Sequence, residues 1–226
     1  MSLRAPVAEF IGTFFLCFAG IGAILSNTPA VGGGLGIVGI ALAHGLALSI
    51  GVATFGGVSG AHFNPAVTIG MFVTKRIAAA SAVVYIVAQL LGATVAAAVC
   101  KATFPVDAIA AANLGIPLPA AWATPGVVVG LEFVMTFLLM TAIFGAAVDE
   151  RGKAVKIGGF AIGLAVTFDI LAGGAVTGAS MNPARSFGPA LVQGYWAWHL
   201  YYWIAPIAGA VVAAVIYDKV ILERQK

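Results

Sequence analysis

Apolar residues along this chain gather into long runs, and six of these are long enough to cross a bilayer as helices. They cover residues 6–25, 37–55, 78–101, 125–148, 157–173 and 199–217. A helix needs about 20 residues to traverse the roughly 30 Å of hydrocarbon, and each run is close to that length. A transmembrane barrel would instead show alternation over segments of about 10 residues. None is present, so the pattern predicts an all-α membrane protein with six spans.

Two further stretches, residues 56–74 and 174–193, break the rhythm. Each has a glycine-rich first half and a short apolar run after an Asn-Pro pair. They are too short and too interrupted to span. They read as loops that enter the protein and return through a half-helix, an arrangement tolerated at membrane depth only where it is buried or lines water.

The chain also repeats itself. Glu9-Phe10 with Thr13-Phe14 recurs as Glu132-Phe133 with Thr136-Phe137. Ser59-Gly60-Ala61 and Asn64-Pro65-Ala66 recur as Thr177-Gly178-Ala179 and Asn182-Pro183-Ala184. Ala88, Gly92 and Ala93 recur as Ala205, Gly209 and Ala210. Residues 1–226 therefore read as one membrane domain built from repeats at about 4–103 and 125–220. Each repeat holds three spans, an odd number, so the two enter the membrane in opposite directions and their broken segments meet near its midplane.

Composition agrees. Charged residues make up 8% of the 226, against about 25% in ordinary soluble domains, while hydrophobic residues reach 62%. So few charges cannot cover a soluble surface, and a nucleic-acid partner is excluded with them. The 29 glycines and long alanine runs suit helices packed closely in lipid. The first apolar run carries Glu9, unlike a cleavable signal. Cys17 and Cys100 read as small packing residues rather than a disulfide. Nine of the 11 cations (Arg4, Lys75, Arg76, Arg151, Lys153, Lys156, Lys219, Arg224 and Lys226) fall on one side if six spans alternate. That bias places both termini in the cytoplasm. Lys101 and Arg185 fall elsewhere.

One Asn-Pro pair is an ordinary helix start, because Asn caps well and Pro suits the first helical position. Two pairs at matching places in an inverted repeat carry more information. Their half-helices point N-termini at one another, placing partial positive charge at the centre. Each asparagine can donate an amide N–H into the space between, which would orient a neutral molecule, repel a cation and interrupt a proton wire.

At His62-Phe63-Asn64-Pro65-Ala66-Val67-Thr68 and at Met181 through Pro189, the chain resembles the aquaporin (major intrinsic protein) family and its two signature loops. The likeness covers nearly the whole chain. It implies a right-handed bundle of six helices with two re-entrant half-helices, a pore in each protomer, a homotetramer in the lipid bilayer and no cofactor. Four positions of this family line the pore's constriction, and they fall here on His44, Ile170, Ala179 and Arg185. Water-only members carry an aromatic ring and a histidine at the first two; His44 and Ile170 instead resemble the plant tonoplast type. The expected activity is passive passage of water, with ammonia, urea, glycerol and hydrogen peroxide alongside, and exclusion of protons and ions. Ser186 stands where glycerol facilitators carry Asp, and Tyr202-Trp203 resembles the aromatic pair of water-type members.

Gly60, Ala61 and His62 on one side, and Gly178, Ala179 and Ser180 on the other, are expected to line the pore with backbone carbonyls. Glu9 and Glu132 are expected to brace the loops by accepting backbone N–H groups. Asp169 lies about 100° around the helix from Ile170 and is expected to face the outer vestibule. His199 is expected at the start of the last helix, in the interface rather than the filter. The alternative reading, an inverted-repeat secondary transporter, would usually break its spanning helices, whereas these breaks fall between intact spans. An intramembrane enzyme would need a nucleophile–base pair or a metal set, and three scattered histidines supply neither. The short stretch before the first span points to a prokaryotic cell membrane, with a tonoplast as the alternative suggested by the filter.

Overall fold

The computed structural model describes residues 3–222. Arg224 and Lys226, counted above among the cations of one face, lie outside them. Ten α-helices are present among the described residues, and no strand. The six spans are α1 (Arg4–Ser26), α2 (Gly36–Ser59), α4 (Ala79–Thr103), α6 (Pro125–Ile143, continued by a π turn to Val148), α8 (Gly158–Thr177) and α10 (Tyr201–Ile216, continued to Ile221). The two half-helices are α3 (Pro65–Val73) and α9 (Pro183–Gln193). Short helices α5 (Val106–Ala112) and α7 (Glu150–Lys153) lie in connections.

The two halves interlock. Span α1 packs on α2 and α4, and α6 packs correspondingly on α8 and α10, while α2 against α8 joins the halves. Each half-helix also crosses over: α3 lies against α10 of the other repeat, and α9 against α4. Glycine permits the closest approaches. A Cβ at Gly92 of α4 would collide with the Phe10 carbonyl of α1, and one at Gly209 of α10 with the Phe133 carbonyl of α6. These equivalent contacts in the two repeats explain why both motifs carry glycine there. Outward faces are apolar, as with Val83, Val87 and Leu91 along α4, each more than half exposed. Such stripes, unpaired with polar rims, suit lipid or a neighbouring subunit.

Some expected boundaries shift. Residues 56–59 and 174–177, assigned above to the broken segments, are the last turns of α2 and α8. Their glycines are tolerated inside a helix, and the chain leaves only at Gly60 and Gly178, whose φ of 86° and 81° are left-handed. The last span begins at Tyr201, so His199 sits in the preceding turn, where its Nε2 accepts from Trp203 Nε1 at 2.9 Å. Helix α5 was not foreseen; it starts after Pro105 in an alanine-rich run too short to show a period. Asp169 does not face the vestibule. It is buried at 1% exposure on the side of α8 that meets α6.

Candidate functional site

After Gly60 and Gly178 the chain is irregular for a few residues before each half-helix. Ala61 (φ 52°), Phe63 (φ 49°), Ala179 (φ 41°) and Met181 (φ 52°) all occupy left-handed backbone. Residues with a Cβ pay roughly 1–3 kcal/mol for such geometry, so the surroundings must hold it. In the first loop Glu9 does so. Its Oε1 accepts from the Ser59 hydroxyl at 2.6 Å and His62 N–H at 2.9 Å, and its Oε2 from Phe63 N–H at 2.7 Å. In the second loop Glu132 repeats the pattern with Thr177 at 2.7 Å, Ser180 N–H at 2.9 Å and Met181 N–H at 2.8 Å. Both glutamates are fully buried. Tyr85 and Tyr202 complete the brace by donating to the carbonyls of Ser59 and Thr177.

Each half-helix then starts as the sequence predicts. Asn64 Oδ1 accepts from Ala66 N–H at 2.8 Å, and Asn182 Oδ1 from Ala184 N–H at 2.9 Å and Arg185 N–H at 3.3 Å, with Pro65 and Pro183 in the first turn. The remaining amide groups reach across the repeat. Asn64 Nδ2 donates to the Met181 carbonyl at 2.8 Å, and Asn182 Nδ2 to the Phe63 carbonyl at 2.9 Å. One N–H of each asparagine is therefore committed to the opposite loop, and the second is left for the space between. The two helix N-termini meet through these bonds and concentrate partial positive charge there.

That space is a cavity of about 430 Å³ bordered by both asparagines, by Gly60, Ala61, His62, Ala179 and Ser180, and by apolar side chains such as Val67, Leu139 and Val166. The charged residues on its wall, among those described, are Arg76, Lys153 and Arg185, all cationic. A second cavity of about 300 Å³ includes Gly178, Asn113, Ile37 and Pro117. His44, Ile170 and Arg185 line both, so they stand at the boundary between the two chambers. Arg185 is held by its Nη1 donating to the Gly115 carbonyl at 2.8 Å. His44 Nδ1 lies 2.8 Å from the Ile40 carbonyl, which can only accept. That nitrogen therefore carries the hydrogen, and a neutral ring presents Nε2 as an acceptor. Nε2 lies over Gly20, where a Cβ would overlap it.

The walls of these cavities bring together His44, Gly60, Ala61, His62, Asn64, Ile170, Gly178, Ala179, Ser180, Asn182 and Arg185, with Glu9 and Glu132 bonded to the loops behind, whereas Asp169 and His199 border neither cavity. Lys101 Nζ, one of the two cations outside the topological set, donates to the Val192 carbonyl at 2.9 Å near the C-terminus of α9. Cys17 and Cys100 are buried free thiols, and Cys100 Sγ donates to the Phe18 carbonyl at 3.9 Å. The sequence reading missed Tyr85, Gln89, Gly20 and Gly115. Tyr85 could have been found, since it stands three before Ala88 as Tyr202 stands three before Ala205. The other three have no counterpart in a motif.

Comparison with known proteins follows the same lines. Residues 1–217 match the profile of the Major intrinsic protein family. The chain belongs to the aquaporin family. "Aquaporin TIP4-4" of Zea mays is 42% identical over 222 residues, covering 96% of this chain and 86% of that protein. "Aquaporin TIP1-2" of Zea mays is 45% identical over 220 residues, covering 95% and 85%. Among solved structures, the aquaglyceroporin from Plasmodium falciparum superposes with a TM-score of 0.86 at 26% identity over 97% of this chain and 96% of that one. This aquaporin-family protein is a multi-pass membrane channel and not an enzyme.

Proposed function

We propose that the channel passes water, and with it ammonia and small uncharged solutes such as urea, glycerol and hydrogen peroxide, while excluding protons and ions. The observation that carries this reading is the wall shared by the two cavities, where His44 and Arg185 offer polar contacts and Ile170 an apolar one. A small neutral molecule can exchange its water contacts for Nε2 of His44, the Arg185 guanidinium and the free amide hydrogens of Asn64 and Asn182. A cation meets Arg185 and the positive ends of two half-helices; Arg76 and Lys153 also border the wall, but each is paired with a carboxylate, Asp218 and Glu150. An aliphatic side chain at Ile170 withholds the polar contact that would favour water alone. His44, Ile170, Ala179 and Arg185 form the filter in this reading. Backbone carbonyls of Gly60, Ala61, His62, Gly178, Ala179 and Ser180 serve as steps along the path.

The TIP names of the plant relatives support a water channel of tonoplast type, and favour that membrane over a prokaryotic one. The cation bias supports cytoplasmic termini. A homotetramer suits the apolar outer faces of the spans. Stopped-flow light scattering on proteoliposomes, with water, ammonia, urea, glycerol and peroxide gradients, tests the proposal. Flux should rise linearly with gradient for water and at least one other solute. Saturation at low solute would favour a transporter, and passage of water alone would overturn the wider selectivity. The double variant His44→Phe with Ile170→His should narrow the panel towards water.

A further inference from the structure

One buried acid has no part in the pore. Asp169 is 1% exposed, both its carboxyl oxygens lack a hydrogen-bond partner among the described residues, and it lines neither cavity. Asp169 and Gly173 share a face of α8, being four residues apart. At Gly173 that face lies against Leu131 and Met135 of α6, the neighbours of Glu132. Asp169, one turn from Gly173, is thereby placed on the side of α8 that faces the part of α6 carrying Glu132.

The repeat shows what has changed around this pair. Asp169 stands nine residues before Gly178, as Gly51 stands nine before Gly60. In the first half the Phe63 ring fills the space over Gly51, with its Cε2 2.9 Å from where a Cβ would stand. In the second half Met181 and Asp169 take the places of Phe63 and Gly51. A second exchange accompanies the first. Gln89 Nε2 donates to Glu9 Oε2 at 2.8 Å, but its counterpart three residues before Gly209 is Pro206, which has no side-chain donor. Glu9 thus accepts four hydrogen bonds and Glu132 three. The half that lost a donor to its glutamate gained a carboxyl beside it.

An ionised Asp169 without a donor, next to another carboxylate and inside a membrane, would be held at heavy electrostatic cost. As the neutral acid it has a hydrogen to give, and Oε2 of Glu132 has a lone pair to receive it. Of the other ionisable groups near this loop, Arg185 donates through Nη1 to the Gly115 carbonyl while its Nε is without a partner among the described residues, and Tyr202 donates to the Thr177 carbonyl. We propose that Asp169 is carried as the neutral acid and hydrogen-bonds to Glu132, directly or across one water, as a positioning residue for the second loop and so for Ala179 and Arg185. The consequence for permeation rests on the pore reading above; the protonation of Asp169 does not.

Infrared difference spectra of the full-length protein in liposomes, wild type minus Asp169→Asn, test this at neutral pH. The wild type should show the carbonyl stretch of a protonated carboxylic acid, shifted in heavy water and absent from Asp169→Asn. That variant keeps a donor, so it should retain water permeability and thermal stability. Asp169→Leu should lose most of the permeability, and Pro206→Gln added to it should restore part by supplying the donor that Gln89 supplies in the first half. Absence of the acid band overturns the proposal, as does an Asp169→Leu variant that matches Asp169→Asn in permeability and stability. If Asp169→Leu fails to fold, or the protein proves not to conduct water, the spectra still decide the protonation.

Discussion

Asn64 and Asn182 each donate a side-chain N–H to the loop that carries the other, at 2.8 Å to the Met181 carbonyl and 2.9 Å to the Phe63 carbonyl. The same two side chains cap α3 and α9. Each asparagine therefore does three things at once: it starts a half-helix, ties the repeats together and keeps one N–H for whatever passes between them. Asn64→Ala removes a cap worth about 1 kcal/mol and strips the Met181 carbonyl of its donor, a further loss of roughly 1–3 kcal/mol if it stays buried. The expected outcome is a lower Tm in detergent and a drop in water permeability, with Asn182→Ala behaving alike. Unchanged melting in both would mean that the crossed bonds are not holding the loops.

The glutamates give a sharper stability prediction. Glu9→Ala and Glu132→Ala each leave two backbone N–H groups unpaired, those of half-buried His62 and buried Phe63 or of buried Ser180 and Met181. At roughly 1–3 kcal/mol for each orphaned donor, either variant loses enough to prevent folding of a marginally stable chain. Membrane yield and size-exclusion profiles should show little folded protein. Glu9→Gln should be milder, because one oxygen still accepts.

Much of this architecture is visible in the sequence because an inverted repeat writes each feature twice. The six spans, the half-helix starts at Asn64 and Asn182 and the bracing role of Glu9 and Glu132 all follow from period and pairing. What escapes is whatever occurs once or depends on tertiary fit. The seat that Gly20 provides for His44, the Gly115 carbonyl that holds Arg185 and the Gln89 contact to Glu9 leave no pattern, since each is a single residue meeting another far along the chain. The helical last turns at 56–59 and 174–177 escaped for another reason. Glycine there weakens local helix propensity, yet both helices continue to Ser59 and Thr177 and end on the left-handed Gly60 and Gly178.

Mercury offers a test of the pore lining. Ala179 borders the larger cavity, while Cys17 and Cys100 are buried among apolar side chains and line neither cavity. The wild type should resist mercury, and Ala179→Cys should lose most of its water flux on exposure, with recovery on adding a thiol. Equal sensitivity of the two proteins would place the reactive thiol elsewhere.

Gly20 is predicted to control the boundary between the two chambers without touching the permeant. A Cβ there overlaps His44 Nε2, so Gly20→Ala must push the ring aside or break its bond to the Ile40 carbonyl. Overpacking of this kind costs roughly 1–3 kcal/mol. The variant should remain folded, with altered water permeability and an altered ratio of ammonia to water. The same solute panel reads both.

The last prediction concerns the mouth that Arg76 and Lys153 line. Asp149, just beyond α6, accepts from the Arg151 guanidinium, with Nη2 to Oδ2 at 2.6 Å and Nε to Oδ1 at 3.0 Å. Tyr217 adds its hydroxyl to Oδ2 at 3.3 Å, and Arg151 reaches on to the Ile221 carbonyl at 3.0 Å. This cluster ties the α6–α8 connection to the end of α10, beside the Arg76–Asp218 pair at 2.8 Å. The Arg151 side chain holds the Asp149 carboxyl down to about 2, below its ordinary range near about 4. A depressed acid stabilises the folded form above its ordinary value and loses that contribution as pH falls through the folded one. The connection should therefore stay closed from neutral pH to about pH 4 and open only as pH approaches about 2. Asp149→Asn should loosen it at every pH. Hydrogen exchange of residues 149–157, corrected for the intrinsic rate at each pH, separates the cases. Protection already lost near neutral pH in the wild type would mean that the cluster does not hold this mouth.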